Sequence, residues 1–349
     1  MYRIEQRREF RPHCCPAGAE VNRISISPDE TRIAYFAKMA AGSGLPDAIV
    51  IEPIKRGGPE SHKCDLAGGT VSDLRWSPDG THLAWCLVDP RTEPCTPLGI
   101  GWEAVLPGDA GEREDRGQTN GMCFAWMPSG NGLVVASSAF LRLVNIRTYA
   151  EEKIADLNDD GDPLFTPRIA VSCNGQHIAY TTRRTDENIS RVWITTQTKE
   201  RWECRLLTSI PGAFVFISPF WSPDCTTLGL HMVHPKMEKS SITIFPGLAG
   251  EGEIIYESPL LNPSHEPSWA PCGEGIIFFH TSQPHHKYTK AGPAQLALLS
   301  WSGDHPTGIH LLKEPSDTQG SFRFIDNRQI VMDGVDTARL MNFSLLEKR

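Results

Sequence analysis

Short apolar runs, each interrupted by a polar tight turn, recur along most of the chain. Two clear examples are LRWSPDGTHLAWC (74–86) and FWSPDCTTLGLHM (220–232). In both, an apolar run ends in Trp-Ser-Pro-Asp, and a second apolar run follows the turn. Proline presets φ for a turn and Asp hydrogen-bonds the backbone, so the pattern predicts two strands joined by a tight turn. The second run hardly alternates, which is typical of a strand buried on both faces.

Seven copies of this pattern follow one another along the chain. Their turns centre on Asp29, Asp79, Ser129, Asn174, Asp224, Cys272 and a position near Asn327. Successive turns are 50, 50, 45, 50, 48 and 55 residues apart. Most copies continue with a third β-like run, as in SRVWITTQT (190–198), and a more polar fourth run, as in RWECRLL (201–207). A period of about 50 residues with four strands per repeat predicts the blades of a β-propeller.

The copies resemble the TolB-like, WD40-like (PD40) propeller repeat, whose hallmark is a Trp-Ser-Pro-Asp-Gly turn. The turn is complete at 76–80 and nearly so at 221–225, whereas the third, fourth, sixth and seventh copies depart from it. The resemblance covers nearly the whole chain and implies an all-β fold with four antiparallel strands per blade. It is silent about function, because this repeat serves scaffolds, lyases and peptidase gating domains alike.

The repeats indicate a single propeller domain over residues 1–349. Its seven blades are predicted near 22–66, 71–118, 121–157, 168–207, 214–257, 265–313 and 319–346. The seventh repeat lacks a fourth run, while RIEQRREF (3–10) precedes the first blade. We therefore expect this N-terminal strand to complete the last blade and to close the ring, which removes exposed sheet edges. A six-bladed ring with an irregular seventh repeat is the alternative.

Composition and charge exclude several partners. The 30 Gly and 27 Pro of the 349 residues fit a chain with many turns. Asp and Glu (42) outnumber Lys and Arg (34), which argues against nucleic-acid binding, and no apolar run approaches the length of a membrane span. The N-terminus lacks the apolar segment of a secretory signal. The ten cysteines are scattered without a CxxC pair, so we expect free thiols and a cytoplasmic location.

The functional residues are expected at the end of the propeller opposite the SPDG turns, in the channel mouth. The predicted catalytic residues are His231, His265, His280 and Arg168. The histidines end or open strands of two neighbouring blades and titrate near neutral pH. Arg168 begins an inner strand, where its guanidinium could bind a carboxylate or a phenol-like oxygen.

Further side chains at the same end are predicted to contact the substrate. They are Glu266, His234, Phe216, Arg183, Arg323, Trp102 and Tyr288. For several of these the sequence leaves a structural alternative open. Trp102 fits the core of a blade, Arg183 fits an ion pair at the surface, and the histidines fit ordinary hydrogen-bonded or exposed positions.

Three classes of function remain. The first is a cofactor-independent enzyme of secondary metabolism that acts on an apolar small molecule. Its format, a stand-alone propeller with long loops and no cofactor motif, is similar to that of the fungal intermolecular hetero-Diels–Alderases of tropolone–sesquiterpene biosynthesis. That resemblance implies dehydration of a hydroxymethyl precursor to a quinone methide, followed by capture with an alkene.

The second class is a protein-interaction scaffold. The third is a metal-dependent lyase similar to the oligogalacturonate lyases, in which His231, His265 and His280 would bind a divalent metal. The chain lacks a G-x-S-x-G elbow, a P-loop and a Rossmann fingerprint, which argues against serine hydrolase and nucleotide chemistry. The sequence leaves the substrate and the oligomeric state open.

Overall fold

The computed structural model describes residues 2–10, 19–39, 47–54, 62–66, 69–92, 96–105, 116–157, 167–184, 186–199, 201–212, 216–234, 239–259, 267–270, 273, 275–280, 294–302, 305–316, 322–326, 329–333 and 338–345. The secondary structure of these residues comprises 28 β-strands and no helix. This confirms the all-β prediction for the described residues.

The chain begins with β1 (Tyr2–Phe10), and the next strands form six sheets of four consecutive antiparallel strands. Sheet 1 comprises β2 (Glu20–Ile26), β3 (Arg32–Lys38), β4 (Ala48–Pro53) and β5 (His62–Asp65). Sheet 2 comprises β6 (Thr70–Trp76), β7 (His82–Asp89), β8 (Thr96–Ala104) and β9 (Arg116–Thr119). Sheet 3 comprises β10 (Cys123–Trp126), β11 (Gly132–Ala136), β12 (Phe140–Asn145) and β13 (Glu151–Asp156).

The second half of the chain repeats this organisation. Sheet 4 comprises β14 (Ile169–Val171), β15 (His177–Arg184), β16 (Ile189–Gln197) and β17 (Trp202–Pro211). Sheet 5 comprises β18 (Phe216–Trp221), β19 (Thr227–His234), β20 (Lys239–Pro246) and β21 (Glu253–Pro259). Sheet 6 comprises β22 (Ser268–Trp269), β23 (Gly275–His280), β24 (Ala294–Ser302) and β25 (His305–Ser316).

A seventh sheet joins the two ends of the chain. It contains β26 (Phe322–Asp326), β27 (Gln329–Asp333) and β28 (Ala338–Leu345), in the order β1-β28-β27-β26. The N-terminal strand therefore supplies the fourth strand of the sheet that the last repeat forms.

The chain divides into two compact units. One unit contains Arg8–Asp156 and Asp333–Arg339, and therefore sheets 1 to 3. The other contains Met1–Arg7, Leu157–Met332 and Leu340–Arg349, and therefore sheets 4 to 6 and most of sheet 7.

Within each unit, the core lies between the faces of neighbouring sheets. In the first unit, Phe36 of sheet 1 and Trp85 of sheet 2 belong to one apolar cluster, and Ile100 of sheet 2 and Val135 of sheet 3 belong to another. The second strand of sheet 2 contributes to the layers on both of its sides, since β7 has seven successive buried residues, and those from Leu83 to Val88 belong alternately to the two clusters. This double burial explains why this strand is apolar almost without alternation.

The SPDG turns are held by their own side chains. In sheet 2 the Ser77 hydroxyl donates to Asp79 Oδ1 (2.6 Å), which also accepts from the Thr81 backbone N–H (3.0 Å). Gly80 follows with φ 71°, a left-handed conformation that favours glycine. Burial raises the pKa of Asp79, but the hydrogen bonds from Ser77 and Thr81 outweigh it and leave the pKa lowered. These residues build the turn, as the sequence predicts.

The tryptophan that precedes the turn joins one sheet to the previous one. Its indole N–H donates to a backbone carbonyl of the preceding sheet. That carbonyl belongs to the residue two positions before the serine that begins the turn of the preceding sheet. The pairs are Trp76 with Ser25 (3.1 Å), Trp126 with Arg75 (3.1 Å) and Trp221 with Ala170 (3.0 Å). The repeated tryptophan is therefore a contact between sheets within each unit.

The expectation of free thiols is wrong for one pair of cysteines. Cys173 in the turn of sheet 4 and Cys225 in the turn of sheet 5 form a disulfide. The equivalent positions of sheets 1 and 2 are also neighbours, because a Cβ at Gly80 would lie 3.5 Å from Pro28 Cδ. Disulfides are rare in cytosolic proteins, so the cytoplasmic location loses its support from the cysteines and stays a prediction.

Candidate functional site

Each sheet has a turn end, where the first strand meets the second, and an opposite end that we call the far end. The far end carries the start of the first strand and the end of the second. In sheets 4 and 5 these are the start of β14 and the end of β15, and the start of β18 and the end of β19. Most of the predicted site residues in these two sheets lie at the far end.

Buried polar side chains are concentrated at the far end of sheets 4 and 5. They are Thr181, Thr182, Arg183, Ser190, Ser218, His231, Ser240, Ser241 and Ser258. A buried polar group without a hydrogen bond costs about 1–3 kcal/mol, so a stretch of this composition is unusual for a core. Some of these groups bond one another, as the Ser240 and Ser258 hydroxyls do at 3.2 Å. The Ser190 hydroxyl has no hydrogen-bond partner among the described residues.

His231 is 2% exposed and lies between sheets 5 and 6. It is directly opposite Ser218 on β18 and Ile242 on β20, so the three share one face of sheet 5. Ile242 belongs to the cluster that packs against Phe278 of sheet 6. His231 therefore stands at the polar end of an otherwise apolar layer.

Arg183 lies in a different layer. It is 8% exposed and opposite Ser190, on the face of sheet 4 that also carries Val192. Val192 packs against Met232 of sheet 5, which places Arg183 between sheets 4 and 5. Arg183 is therefore buried between two sheets rather than exposed at the surface, and sheet 5 separates it from His231.

His234 is half-buried and lies on the face of β19 opposite to His231, because side chains alternate along a strand. Burial lowers the pKa of His234, the nearby Lys239 lowers it further, and Glu257 partly opposes them. The imidazole is therefore mostly neutral at pH 7 and could accept a proton. The described structure does not bring His231 and His234 together.

Arg168 is held by its backbone, and its side chain is exposed. Its N–H donates to the Thr181 hydroxyl (2.9 Å), and its carbonyl accepts from the Thr181 N–H (3.1 Å). These bonds hold the start of the inner strand at the far end of sheet 4.

Other predicted residues cannot be placed in full. His265, Glu266 and Tyr288 lie outside the described residues. For Phe216, His280 and Arg323 only the strand position is described, opposite Val233, Gln295 and Val331 respectively. Their roles stay predictions.

Trp102 lies in the core of the first unit. It is 1% exposed and belongs to the apolar cluster between sheets 2 and 3. Its indole N–H donates to the Ile146 carbonyl at 3.2 Å. This is the core position that the sequence left open as the alternative to substrate contact.

A polar pocket that the sequence analysis missed lies in the first unit. It is lined by Gln118, Thr119, Asn120, Arg142 and Glu151. Arg142 is buried in the third strand of sheet 3, within the apolar run FLRLVN. The sequence does contain an indication of this pocket, because a charged residue inside an apolar strand needs a specific partner.

Metal and thiol chemistry have little support among the described residues. No group of three or more His, Cys, Asp or Glu side chains lies close enough there to hold a metal ion. Two of the three predicted alternative ligands, His265 and the His280 side chain, are not described, so that alternative stays a prediction. Burial raises the pKa of Cys86 to about 11, which keeps this thiol protonated at neutral pH.

Within the described part of the chain, no helical segment has the length and hydrophobicity needed to span a lipid bilayer.

Known proteins resemble this chain in fold but not in sequence. No family model matches it, and no curated protein matches it significantly. A chain in the crystal structure of the mitotic checkpoint complex superposes with a TM-score of 0.59 at 13% identity, over 98% of this chain and 93% of that one. Hydrazine synthase from Kuenenia stuttgartiensis gives 0.55 at 12% identity, over 95% and 97%.

Prolyl oligopeptidase B from Galerina marginata gives a TM-score of 0.59 at 10% identity, with 95% of this chain matching 52% of that protein. Together with the repeated four-stranded sheets, these similarities show that the chain has a β-propeller fold. At such low identity they carry no information about activity.

Proposed function

We propose that the seven sheets are the blades of one closed ring, sealed by the N-terminal strand. The order β1-β28-β27-β26 supports this, because it pairs the first strand of the chain with the last. Each of the other six sheets is built from four consecutive strands, as a propeller blade requires.

We further propose that the chain is a small-molecule enzyme that uses the far end of sheets 4 and 5. The observation that carries this is the concentration of buried polar side chains there. At the turn end, buried serines such as Ser77 are accounted for by the turn itself. The buried arginine, histidine and hydroxyl groups at the far end are not part of that turn, and side chains of these types are the ones that fix the polar atoms of a ligand in a binding site.

The roles follow from the chemistry of the side chains. Arg168 would polarise a ketone or hydroxyl oxygen of the substrate by charge-assisted hydrogen bonds. His231, with Ser218 opposite, would donate or accept a proton. In its most specific form, the reaction is the one implied by the similarity in size and architecture to the fungal hetero-Diels–Alderases. A hydroxymethyl precursor loses water, and the resulting quinone methide undergoes cycloaddition to an alkene. The protein would act mainly by positioning the reactants and excluding water.

The test compares histidines at the two ends of the sheets. Purified protein is incubated with a hydroxymethyl phenol and an electron-rich alkene, and the cyclised product is measured. His231→Gln is expected to lower turnover at least about tenfold, or about 1.4 kcal/mol. His177→Gln, at the turn end of β15, is the matched control and should leave turnover unchanged.

Because His231 is buried, Arg168→Ala provides a second variant at an exposed position, which removes no buried side chain. It should also lower turnover, with an unchanged melting temperature. Absence of product with the unmodified protein, or equal turnover in all variants, would contradict the proposal.

A scaffold is the second candidate, favoured by exposed apolar side chains on the outer strands of three consecutive sheets. They are Leu206 of β17, Ile254 of β21 and Ile309 of β25. Exposed apolar groups on successive edges are typical of a surface that contacts another protein. If Ile254→Ser abolishes co-purification of a protein partner while small-molecule turnover stays undetectable, the scaffold replaces the enzyme.

A further inference from the structure

The polar pocket of the first unit has the size of a small-molecule site. It lies between the outer strand β9 of sheet 2 and strands β12 and β13 of sheet 3. Its volume is about 440 Å³, within the range of about 300–1,000 Å³ that is usual for ligand pockets. Its lining residues are those named above, Gln118 to Asn120 with Arg142 and Glu151.

The guanidinium of Arg142 is fixed within this pocket. Arg142 is 7% exposed, and its Nη2 donates to the Thr119 hydroxyl (2.7 Å) and to the Asn120 carbonyl. Its Cζ lies 5.3 Å from the centre of the Phe140 ring. The Nε–H, however, has no acceptor among the described residues. A buried cationic donor is rarely left without an acceptor, so the hydrogen bonding of Arg142 is incomplete among the described residues.

The charge of the pocket is balanced. Arg142 Nη1 lies 3.5 Å from Glu151 Oε2, and the other oxygen of Glu151 accepts from the Thr119 hydroxyl at 3.0 Å. Glu151 would repel an anion, and Arg142 would repel a cation. The side-chain amides of Gln118 and Asn120 add both donors and acceptors. This set suits an uncharged ligand with several hydroxyl groups.

An exposed aromatic ring stands beside the pocket. Tyr149, two residues before Glu151, is 46% exposed and has φ 58°. Its hydroxyl donates to the Arg116 carbonyl (3.1 Å), and a Cβ at Gly117 would lie 2.7 Å from its ring. A large side chain in this backbone conformation is strained, so it is held there by specific contacts. A fixed, exposed ring against Gly117, the residue before Gln118, could stack on the C–H face of a sugar.

We propose that this pocket binds a neutral saccharide unit. Arg142 Nε and the amides of Gln118 and Asn120 contact ring hydroxyls, Glu151 accepts from a hydroxyl, and Tyr149 packs on the apolar face of the ring. The inference is independent of the enzyme proposed above, because all of its residues belong to the other unit.

The test is calorimetric titration of the full chain with neutral probes. They are glucose, galactose, mannose, N-acetylglucosamine, maltose and cellobiose. Glucuronate and inorganic phosphate distinguish a site for sugars from a site for anions. At least one neutral sugar should bind in the millimolar range or tighter, more strongly than either anion.

Glu151 and Tyr149 are partly exposed, so variants at these positions remove no side chain of the apolar core. Glu151→Ala and Tyr149→Ala are each expected to weaken binding of that sugar about tenfold or more, or about 1.4 kcal/mol. Glu152→Ala, one position along the same strand and also exposed, is the matched control and should bind as the unmodified protein does. Binding of phosphate or glucuronate in preference to every neutral sugar, no binding of any sugar, or equal losses in the Glu151 and Glu152 variants would overturn the proposal.

Discussion

Replacing Cys225 with glycine and Cys173 with serine tests the covalent link between sheets 4 and 5. Cys225 occupies the turn position that holds Gly80 in sheet 2 and Gly130 in sheet 3, and it keeps the same left-handed conformation, with φ 60°. A cysteine there is strained by about 1–2 kcal/mol relative to glycine. Cys225→Gly therefore removes the disulfide and the strain together, whereas Cys173→Ser removes the disulfide alone.

The expected magnitude follows from the length of the loop that the disulfide closes. The two cysteines are 52 residues apart. Closing a loop of that length restricts the unfolded chain by about 14 cal/mol/K, which corresponds to about 4 kcal/mol at 25 °C. At about 2.1 cal/mol/K of unfolding entropy per residue, the whole chain has about 0.7 kcal/mol/K, so Cys173→Ser should lower the melting temperature by about 6 °C. Cys225→Gly should lose about 1–2 kcal/mol less, because the strain is relieved.

The assay combines peptide mapping with thermal unfolding. The protein is unfolded without reductant and alkylated, and the peptides of Cys173 and Cys225 should remain unlabelled until reductant is added. Reduction of the unmodified protein should lower its melting temperature to that of Cys173→Ser. Cys204→Ser serves as the control, since Cys204 is not in a disulfide and serine can keep the hydrogen bond with Tyr180.

Two results would refute the reasoning. Labelling of both cysteines in unreduced protein would show that the bond is absent in solution. A melting temperature that neither variant nor reductant changes would show that the closed loop does not restrict the unfolded chain as the entropy argument requires.

Three further substitutions test the contacts of the repeat. Asp79→Asn should cost less than about 1 kcal/mol at neutral pH, because Asn174 builds the same turn in sheet 4. The pKa of Asp79 is lowered in the folded state, so its contribution is present above the unfolded value of about 3.9 and disappears as the pH falls through the folded value. Urea unfolding at several pH values should therefore show a weaker acid dependence in Asp79→Asn, and an unchanged dependence would contradict this. Trp76→Phe removes the indole donor to Ser25 and should lower the free energy of unfolding in urea by about 1–2 kcal/mol. The loss should be larger than that in Trp126→Phe, because the Trp126 contact is exposed. Equal losses would count against a role for burial. Gly229→Ala would place a Cβ 2.3 Å from Phe220 Cζ and should cost about 1–3 kcal/mol, whereas Gly308→Ala, with nothing within 4 Å, should be nearly neutral; equal unfolding free energies would refute the steric argument.

The sheets could be predicted from the sequence because their signals are local. Pro78, Asp79 and Gly80 set the turn within three residues, and the apolar run of β7 reflects a strand covered on both faces. The repeat period then supplies the number of sheets.

The Cys173–Cys225 bond was missed because the cysteines were judged by clustering along the chain. Their separation of 52 residues is close to the repeat period, and residues one period apart are neighbours in adjacent sheets.

The candidate site was harder to predict, because the position of a residue along a strand fixes the end of the sheet but not the face. His231 and His234 are three residues apart on β19, so the alternation of a strand puts them on opposite faces, and that could have been deduced from their numbers alone. The residue directly opposite His231 across β18 and β19 is Ser218, and the residue opposite Arg183 across β15 and β16 is Ser190. Under the enzyme function proposed above, a proton transfer at this end would therefore involve His231 with Ser218 as its cross-strand neighbour, rather than His231 with His234. Ser218→Ala should accordingly change the pH dependence of any turnover that His231 supports, while His234→Gln should not.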